Sequence, residues 1–283
     1  MEIISTISAL DARLASESGI VLVPTMGNLH AGHLELARLA RSHGECVVVS
    51  IFVNPLQFGP NEDFLKYSRT LTEDCAKLEQ LGVDVMFTPG VNELFPGTQQ
   101  TQVEPPPIAG DLCGAFRPGH FRGVATIVLK LFNAVQPYAA VFGKKDYQQL
   151  HIVRAMVRDL NVPVRIVAGE TVRAEDGLAL SSRNAYLSEA ERAEAVRLYQ
   201  NLQRMGVAVA GGVHNFAALE AVAKADLEAH GWRVEYVSVR DAATLEAPGA
   251  ASQRFIILGA AWLGHTRLID NIEAVCLELH QAL

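Results

Sequence analysis

Short apolar runs alternate along the first part of the chain with segments whose apolar residues recur every three or four positions. Ile20–Pro24 (IVLVP) is apolar throughout, and a glycine-containing turn leads from it into the helical spacing of HLELARLARSHG. Glu45–Val53 (ECVVVSIFV) is rich in β-branched residues and shows no alternation, which predicts a strand buried on both faces. Leu71, Cys75, Leu78 and Leu81 fall on one helical stripe, and Val83–Phe87 predicts the next strand. Val124, Ile127, Val128, Leu131 and Val135 give a helical apolar face, followed by a short strand at Ala139–Phe142. Leu150, Val153, Val157 and Leu160 mark another helix, and Val164–Ala168 a closing strand. Apolar strands alternating with amphipathic helices predict an α/β fold, a Rossmann-like parallel sheet with helices on both faces. Ligands of such sheets bind beyond the carboxyl ends of the strands, which directs attention to the turns after Pro24, Val53 and Phe142.

The pattern changes near Asp176. Ser188–Val209 and Phe216–His230 predict two helices separated by Gly211–Gly212, and Val234–Val239, Phe255–Trp262 and Arg267–Ile272 predict hairpin-connected strands. Helices followed by antiparallel strands imply a smaller C-terminal α+β domain, so the expected division is 1–176 and 177–283. No internal repeat is present, and Glu104–Pro107 (EPPP) reads as a rigid loop.

Composition narrows the class. Apolar residues make up 49% and charged residues 19% of 283 positions, as in a compact globular protein. No apolar run approaches the roughly 20 residues that span a bilayer, and the N-terminal segment lacks the features of a secretion signal. Cys46, Cys75, Cys113 and Cys276 are scattered, which predicts reduced thiols in a cytoplasmic protein and no zinc site. A formal charge of -7 argues against a nucleic-acid surface, so an anionic ligand would need a local cluster of donors.

Several segments offer such chemistry. PTMGNLHAGHLEL joins a strand end to a helix start, where unpaired N–H groups and the helix dipole suit phosphate. Gly27 permits close backbone approach, and Gly32 removes a side chain between His30 and His33. Lone histidines are usually ordinary surface or core residues. Two flanking a glycine at a strand–helix junction instead suggest a pair of donors to phosphoryl oxygens. VFGKKDYQQL is a second strand end, with Lys144 and Lys145 as cations, Asp146 for a ribose hydroxyl or a metal, and Gln149 one turn on; a solvated charged turn is the plain alternative. In DGLALSSRNAYLS, Ser181, Ser182 and Arg183 supply hydroxyls and a guanidinium, while Ser188 and Glu191 form a capping box for the next helix. In SIFVNPLQF, Asn54 and Gln57 are amides at a strand end, suited to a polar substrate or merely to an Asn-Pro turn. Glu73 and Asp74 are adjacent carboxylates, either a solvated helix face or magnesium ligands. FRPGHFRGV places Arg117, His120 and Arg122 before an apolar helix, to neutralise an anion or to pair with acidic residues.

Taken together these segments resemble a known family. His30-Ala31-Gly32-His33 is similar to the H-x-G-H signature of the nucleotidylyltransferase superfamily, and LSSRN to its second ATP-binding loop. The ordered set TMGNLHAGH, SIFVNPLQF, YSRT, RPGHFRGV, FGKKDYQQL and DGLALSSRN, spanning about residues 20 to 190, resembles the pantoate–β-alanine ligase family. The resemblance implies a reaction in which pantoate attacks the α-phosphorus of ATP to give pantoyl adenylate and pyrophosphate. β-Alanine then takes the acyl group and AMP leaves. It implies ATP contacts at Met26, Gly27, Asn28, Leu29, His30, Ala31, Gly32, His33, Gly143, Lys144, Lys145, Asp146, Val172, Leu180, Ser181, Ser182 and Arg183. Catalysis would fall to His33, His30 and Lys145, and substrate contacts to Gln57, Gln149 and Asn54. It also implies a Mg²⁺ ion on Asp74 with Glu73 beside it, a homodimer, and a C-terminal lid.

Three positions depart from the family pattern: Leu180 stands where Met is common, Ser68 where Pro is usual, and Asn28 where a small apolar residue is common. Other functions consistent with these residues are a nucleotidyltransferase that stops at the nucleotide adduct and a sensor that binds ATP without chemistry. A tRNA synthetase is disfavoured by the acidic charge.

Overall fold

The structure is a computed structural model in which residues 1–59 and 70–276 are described. Ser68 and most of the YSRT segment fall outside them. The chain forms two compact units, Met1–Val172 and Arg173–Leu283, so the Asp176–Gly177 turn belongs to the second unit.

The first unit contains β1 (Glu2–Ile4), α1 (Ile7–Leu14), β2 (Ile20–Thr25), α2 (Ala31–Arg41), β3 (Cys46–Ile51), α3 (Leu71–Gln80), β4 (Val85–Phe87), α4 (Val91–Leu94), α5 (Cys113–Phe116), α6 (His120–Val135), β5 (Ala139–Gly143), α7 (Tyr147–Asp159) and β6 (Arg165–Gly169). The strands form one parallel sheet in the order β1-β4-β3-β2-β5-β6. Successive side chains of a strand face opposite sides. Accordingly Leu22, Cys46, Val48 and Phe142 pack with Leu10 of α1, Val124 and Leu131 of α6 and Val153 of α7. Val21, Val23, Val47, Val49 and Val141 pack with Ala37 and Ala40 of α2 and Leu78 of α3. Two helical layers thus cover a sheet whose strands are apolar on both faces, as the unbroken apolar runs predict.

The strand order reverses between β2 and β5. From β2 the chain steps to β3 on one side, whereas β5 and β6 lie on the other. Such a reversal leaves a crevice at the carboxyl ends of the two strands. The turns that leave those ends are Met26–His30 and Lys144–Asp146.

The second unit contains α8 (Glu189–Glu194), α9 (Val196–Ala210), α10 (Phe216–Ala229), β7 (Trp232–Asp241), β8 (Arg254–Leu263) and β9 (Thr266–Val275). Its strands form an antiparallel β7-β8-β9 sheet. Leu198, Leu202, Met205 and Val209 of α9 and Leu227 of α10 pack on Val237, Phe255, Ile257 and Ala261. The helix expected over Ser188–Val209 is interrupted at Ala195, and Ser188 and Glu191 form the expected capping box. At the start of this unit Arg173 makes a two-pronged ion pair with buried Asp270, at 2.6 and 2.9 Å, and stacks 3.8 Å over Tyr199. Arg173 Nη1 also donates to the Gly177 carbonyl, tying the Asp176–Gly177 turn to the sheet.

Candidate active site

The turn after β2 is built around two positive-φ residues and one buried carboxylate. Gly27 and Asn28 have φ of 82° and 52°, a left-handed conformation open to glycine and tolerated by asparagine. Asn28 therefore suits the turn despite its departure from the family pattern. Asp74, 0% exposed, reaches across from α3 and accepts the N–H groups of Asn28 and Leu29, each at 2.8 Å, and the Thr70 hydroxyl at 3.1 Å. Lys77, one turn further along α3, donates to the Leu29 carbonyl at 2.6 Å. In the sequence, only its place three residues after Asp74 hints at a role for Lys77.

His30 caps α2. Its Nδ1 accepts the Gly32 N–H at 3.1 Å, and the His30 N–H is in turn accepted by His33 Nδ1 at 3.3 Å. The ring centroids stand 4.1 Å apart. Gly32 is required sterically, because a Cβ there would lie 2.9 Å from His30 Cε1 and about as close to Nδ1. Val172 flanks the same point, its Cβ 3.9 Å from that position. With both Nδ1 atoms accepting, each neutral ring carries its proton on Nε2.

Both rings are held neutral. Burial, then the positive charge of Lys145, pushes His30 down to about 4. Burial, then the neighbouring His30 and, more weakly, Lys145 and Lys77, pushes His33 down to about 3, with Asp146 opposing. The site therefore presents two uncharged N–H donors beside a lysine at the start of a helix. At pH values above the ordinary histidine value near 6.5, folded and unfolded states are both neutral at these positions. Below it the unfolded chain protonates first, so stability falls with pH from about 6.5 through the folded-state values. We expect the imidazole C–H resonances of His30 and His33 to stay flat from pH 8 to 5. A titration midpoint near 6.5 at either ring would contradict this assignment.

Lys144, Lys145 and Asp146 form a single 3-10 turn between β5 and α7, directly after Gly143. Lys144 pairs with Glu170 at 2.6 Å, and Lys145 lies 4.0 Å from Asp146. Of the two glutamines that follow, Gln148 is buried and committed to the Cys113 N–H and the Ile108 and Asp111 carbonyls, while Gln149 is only half-buried.

The amide pair after β3 divides its labour. Asn54 is 1% exposed. Its Nδ2 donates to Gln57 Oε1 at 3.0 Å and to the Gly123 carbonyl at 3.1 Å, and its Oδ1 accepts the Leu56 N–H. Asn54 thus turns its hydrogen-bonding groups inward and supports Gln57. Gln57 Nε2 faces Met26 Sδ at 3.2 Å, a weak acceptor that a substrate oxygen can replace. A cavity of about 290 Å³ opens at the ends of β2 and β3, lined by Met26, Gly27, Ile51 and Phe52 together with Asp74. Another of about 470 Å³ lies by Gln57, Arg117 and His120. Arg122, singled out with them, pairs with Glu104 at 2.7 Å.

The two carboxylates expected to hold magnesium differ in their surroundings. Three donors already occupy Asp74, and Glu73 is exposed on α3. Among the described residues no group of three or more His, Cys, Asp and Glu side chains is placed to hold a metal ion.

In the second unit Ser181 caps the 3-10 turn Ser182–Tyr186, its Oγ accepting the Arg183 N–H, and Asn184 donates to the Ala179 carbonyl. Ser182 and Arg183 are each partly exposed there, as is Leu180.

Comparison with known proteins decides the family. The pantoate-beta-alanine ligase family model matches residues 2–273. The chain belongs to that family. It is 59% identical over 273 residues to a pantothenate synthetase of Nitrosospira multiformis, covering 96% of this chain and 98% of the relative. Among solved structures it is similar to a pantothenate synthetase of Thermus thermophilus, at 46% identity and a TM-score of 0.92 over 96% and 99% of the two chains. It is also similar to a Francisella tularensis pantoate-beta-alanine ligase complexed with beta-gamma ATP and beta-alanine, at 34% identity and a TM-score of 0.80 over 96% and 97%. The family's Rossmann-like sheet with a small antiparallel C-terminal sheet is the fold observed here, and the chain is an enzyme of the ligase class.

Proposed function

We propose that the chain condenses pantoate with β-alanine in two steps, driven by ATP. The observation that carries this reading is the pair of neutral Nε2–H donors on His30 and His33, beside Lys145 at the β2/β5 crevice. A carboxylate is ionised at neutral pH and needs no base to attack phosphorus. It needs alignment, and donors for the charge that builds on the phosphoryl oxygens. Neutral imidazoles supply such donors without a fixed charge that would bind ground-state ATP equally well.

In the first step the pantoate carboxylate oxygen bonds to the α-phosphorus as the bond to the β-phosphate oxygen breaks, giving pantoyl adenylate and pyrophosphate. In the second the neutral amine of β-alanine attacks the acyl carbon, AMP departs with the electron pair of the acyl–oxygen bond, and the amine proton passes to solvent. Gln57 and Gln149 hold the acid through neutral hydrogen bonds, which leave its carboxylate nucleophilic. The turns at Met26–His33 and Gly143–Asp146, with Val172, hold the nucleotide. Magnesium accompanies ATP as a counter-ion of its phosphates, and no step is assigned to a protein-held ion. Leu180–Arg183 is read as a phosphate-binding loop of the second unit, and residues 177–283 as the moving lid. The enzyme is read as a cytoplasmic homodimer acting on small molecules rather than nucleic acid. Free cysteines fit the compartment, and no helix among the described residues is long and apolar enough to cross a membrane.

The test is to incubate the pure protein with ATP and follow AMP and pyrophosphate. Net AMP release is expected only when pantoate and β-alanine are both present. Release without the amine, or none with both, refutes the ligase reaction.

A further inference from the structure

The sequence leaves the Arg117–Arg122 segment open between anion binding and pairing, and its geometry gives it another role. His120 Nδ1 lies 2.8 Å from the main-chain carbonyl of Gln57. A carbonyl only accepts, so the neutral ring carries its proton on Nδ1. Its Nε2 is then an acceptor, and it faces Arg117 Nη1 at 3.0 Å. Arg117 thus selects the tautomer that grips Gln57, and its Nη2 approaches the same carbonyl at 3.5 Å.

The helix that carries His120 is pressed directly on this turn. One helical turn on, a Cβ at Gly123 would fall 2.2 Å from the Leu56 carbonyl oxygen, and the Gly123 carbonyl receives Asn54. Gln57 is accordingly fixed at two places. Asn54 holds its side-chain oxygen, so that Nε2 is presented as the donor, and His120 holds its main chain.

We propose that His120, oriented by Arg117, is a positioning residue for the hydroxy-acid site, aiming the Gln57 amide without touching substrate. This rests on the reading of Gln57 as a pantoate contact. Losing the donor loosens the Gln57 main chain, leaving only the longer Arg117 contact on that carbonyl, and the binding lost is that of about one hydrogen bond. The acid feels this loss and ATP does not.

The experiment is a kinetic comparison of His120→Ala, His120→Asn, Gln57→Ala and the Gln57→Ala/His120→Ala pair, with pantoate, β-alanine and ATP varied separately. Asparagine keeps an N–H near the position of Nδ1. We expect His120→Ala to raise the KM for pantoate about tenfold, with the KM for ATP within about twofold. His120→Asn should restore most of that loss. In the Gln57→Ala background His120→Ala should add nothing further, since there is no amide left to aim. Multiplying effects, a parallel rise in the KM for ATP, or no rescue by Asn would overturn the proposal. If Gln57→Ala leaves the KM for pantoate unchanged, the reading of Gln57 itself fails and the proposal falls with it. Should His120→Ala not fold, Arg117→Met removes the donor that selects the tautomer. The same selective rise in the pantoate KM is then required.

Discussion

Replacing His33 by alanine is expected to lower turnover by roughly two to three orders of magnitude, the usual consequence of removing one preorganised donor from a developing oxyanion. Its Nδ1 accepts the N–H of His30, so the ring's structural contribution is one hydrogen bond at a helix start. The expected stability loss is accordingly about 1 kcal/mol, small beside the kinetic effect. Steady-state release of pyrophosphate, read together with a denaturation midpoint, separates the two. His33→Gln retains a donor on a longer side chain and should recover part of the rate. Turnover equal to that of the unaltered enzyme in His33→Ala would make the ring a structural cap and nothing more. The burial of the pair favours the neutral ring as the acting form. Burial and the proximity of a second imidazole hold the ring near 3, so a positively charged His33 is not available at neutral pH.

Much of this is legible in the sequence, for identifiable reasons. The strands at Ile20–Thr25 and Cys46–Ile51 are apolar on both faces, and that pattern has few solutions other than a covered parallel sheet. The His30–Gly32–His33 spacing carries its own geometry, because only glycine fits against the His30 ring. What escapes is either very short or dependent on contacts between distant segments. The strand Glu2–Ile4 is three residues long and exists through its pairing with Val85–Phe87. Along α3 the apolar stripe and the buried face differ: Leu71 is 47% exposed, whereas Asp74, in line with Leu78, is buried. Periodicity assigns a carboxylate to the solvent side unless its partners are known, and here the partners lie more than forty residues earlier. The inward hydrogen bonds of Asn54 are hidden in the sequence for the same reason, since its partner carbonyl at Gly123 lies 69 residues away.

Asp74→Asn is the second large effect, and it separates a structural carboxylate from a metal ligand. The amide keeps one oxygen for the turn, but its NH₂ must face one of the N–H groups of Asn28 or Leu29, donor against donor. A buried N–H stripped of its acceptor costs about 1–3 kcal/mol, and the loss of a charged acceptor places this case at the upper end. The turn it releases contains the left-handed Gly27 and Asn28 and leads directly into the His30 cap. We therefore expect a stability loss of about 2–3 kcal/mol. Turnover should fall about ten- to a hundredfold, as expected when catalytic groups are displaced by a fraction of an ångström. Added magnesium should restore neither, because the defect lies in the main chain of the turn. A magnesium ligand would behave in the opposite way: Asp74→Asn would leave the denaturation midpoint where it was, and excess Mg²⁺ would recover the rate. Measuring the midpoint and the magnesium dependence on the same preparation discriminates the two, since a carboxylate that serves by accepting two backbone N–H groups shows its loss in the midpoint, and one that serves by holding a metal shows it in the magnesium dependence.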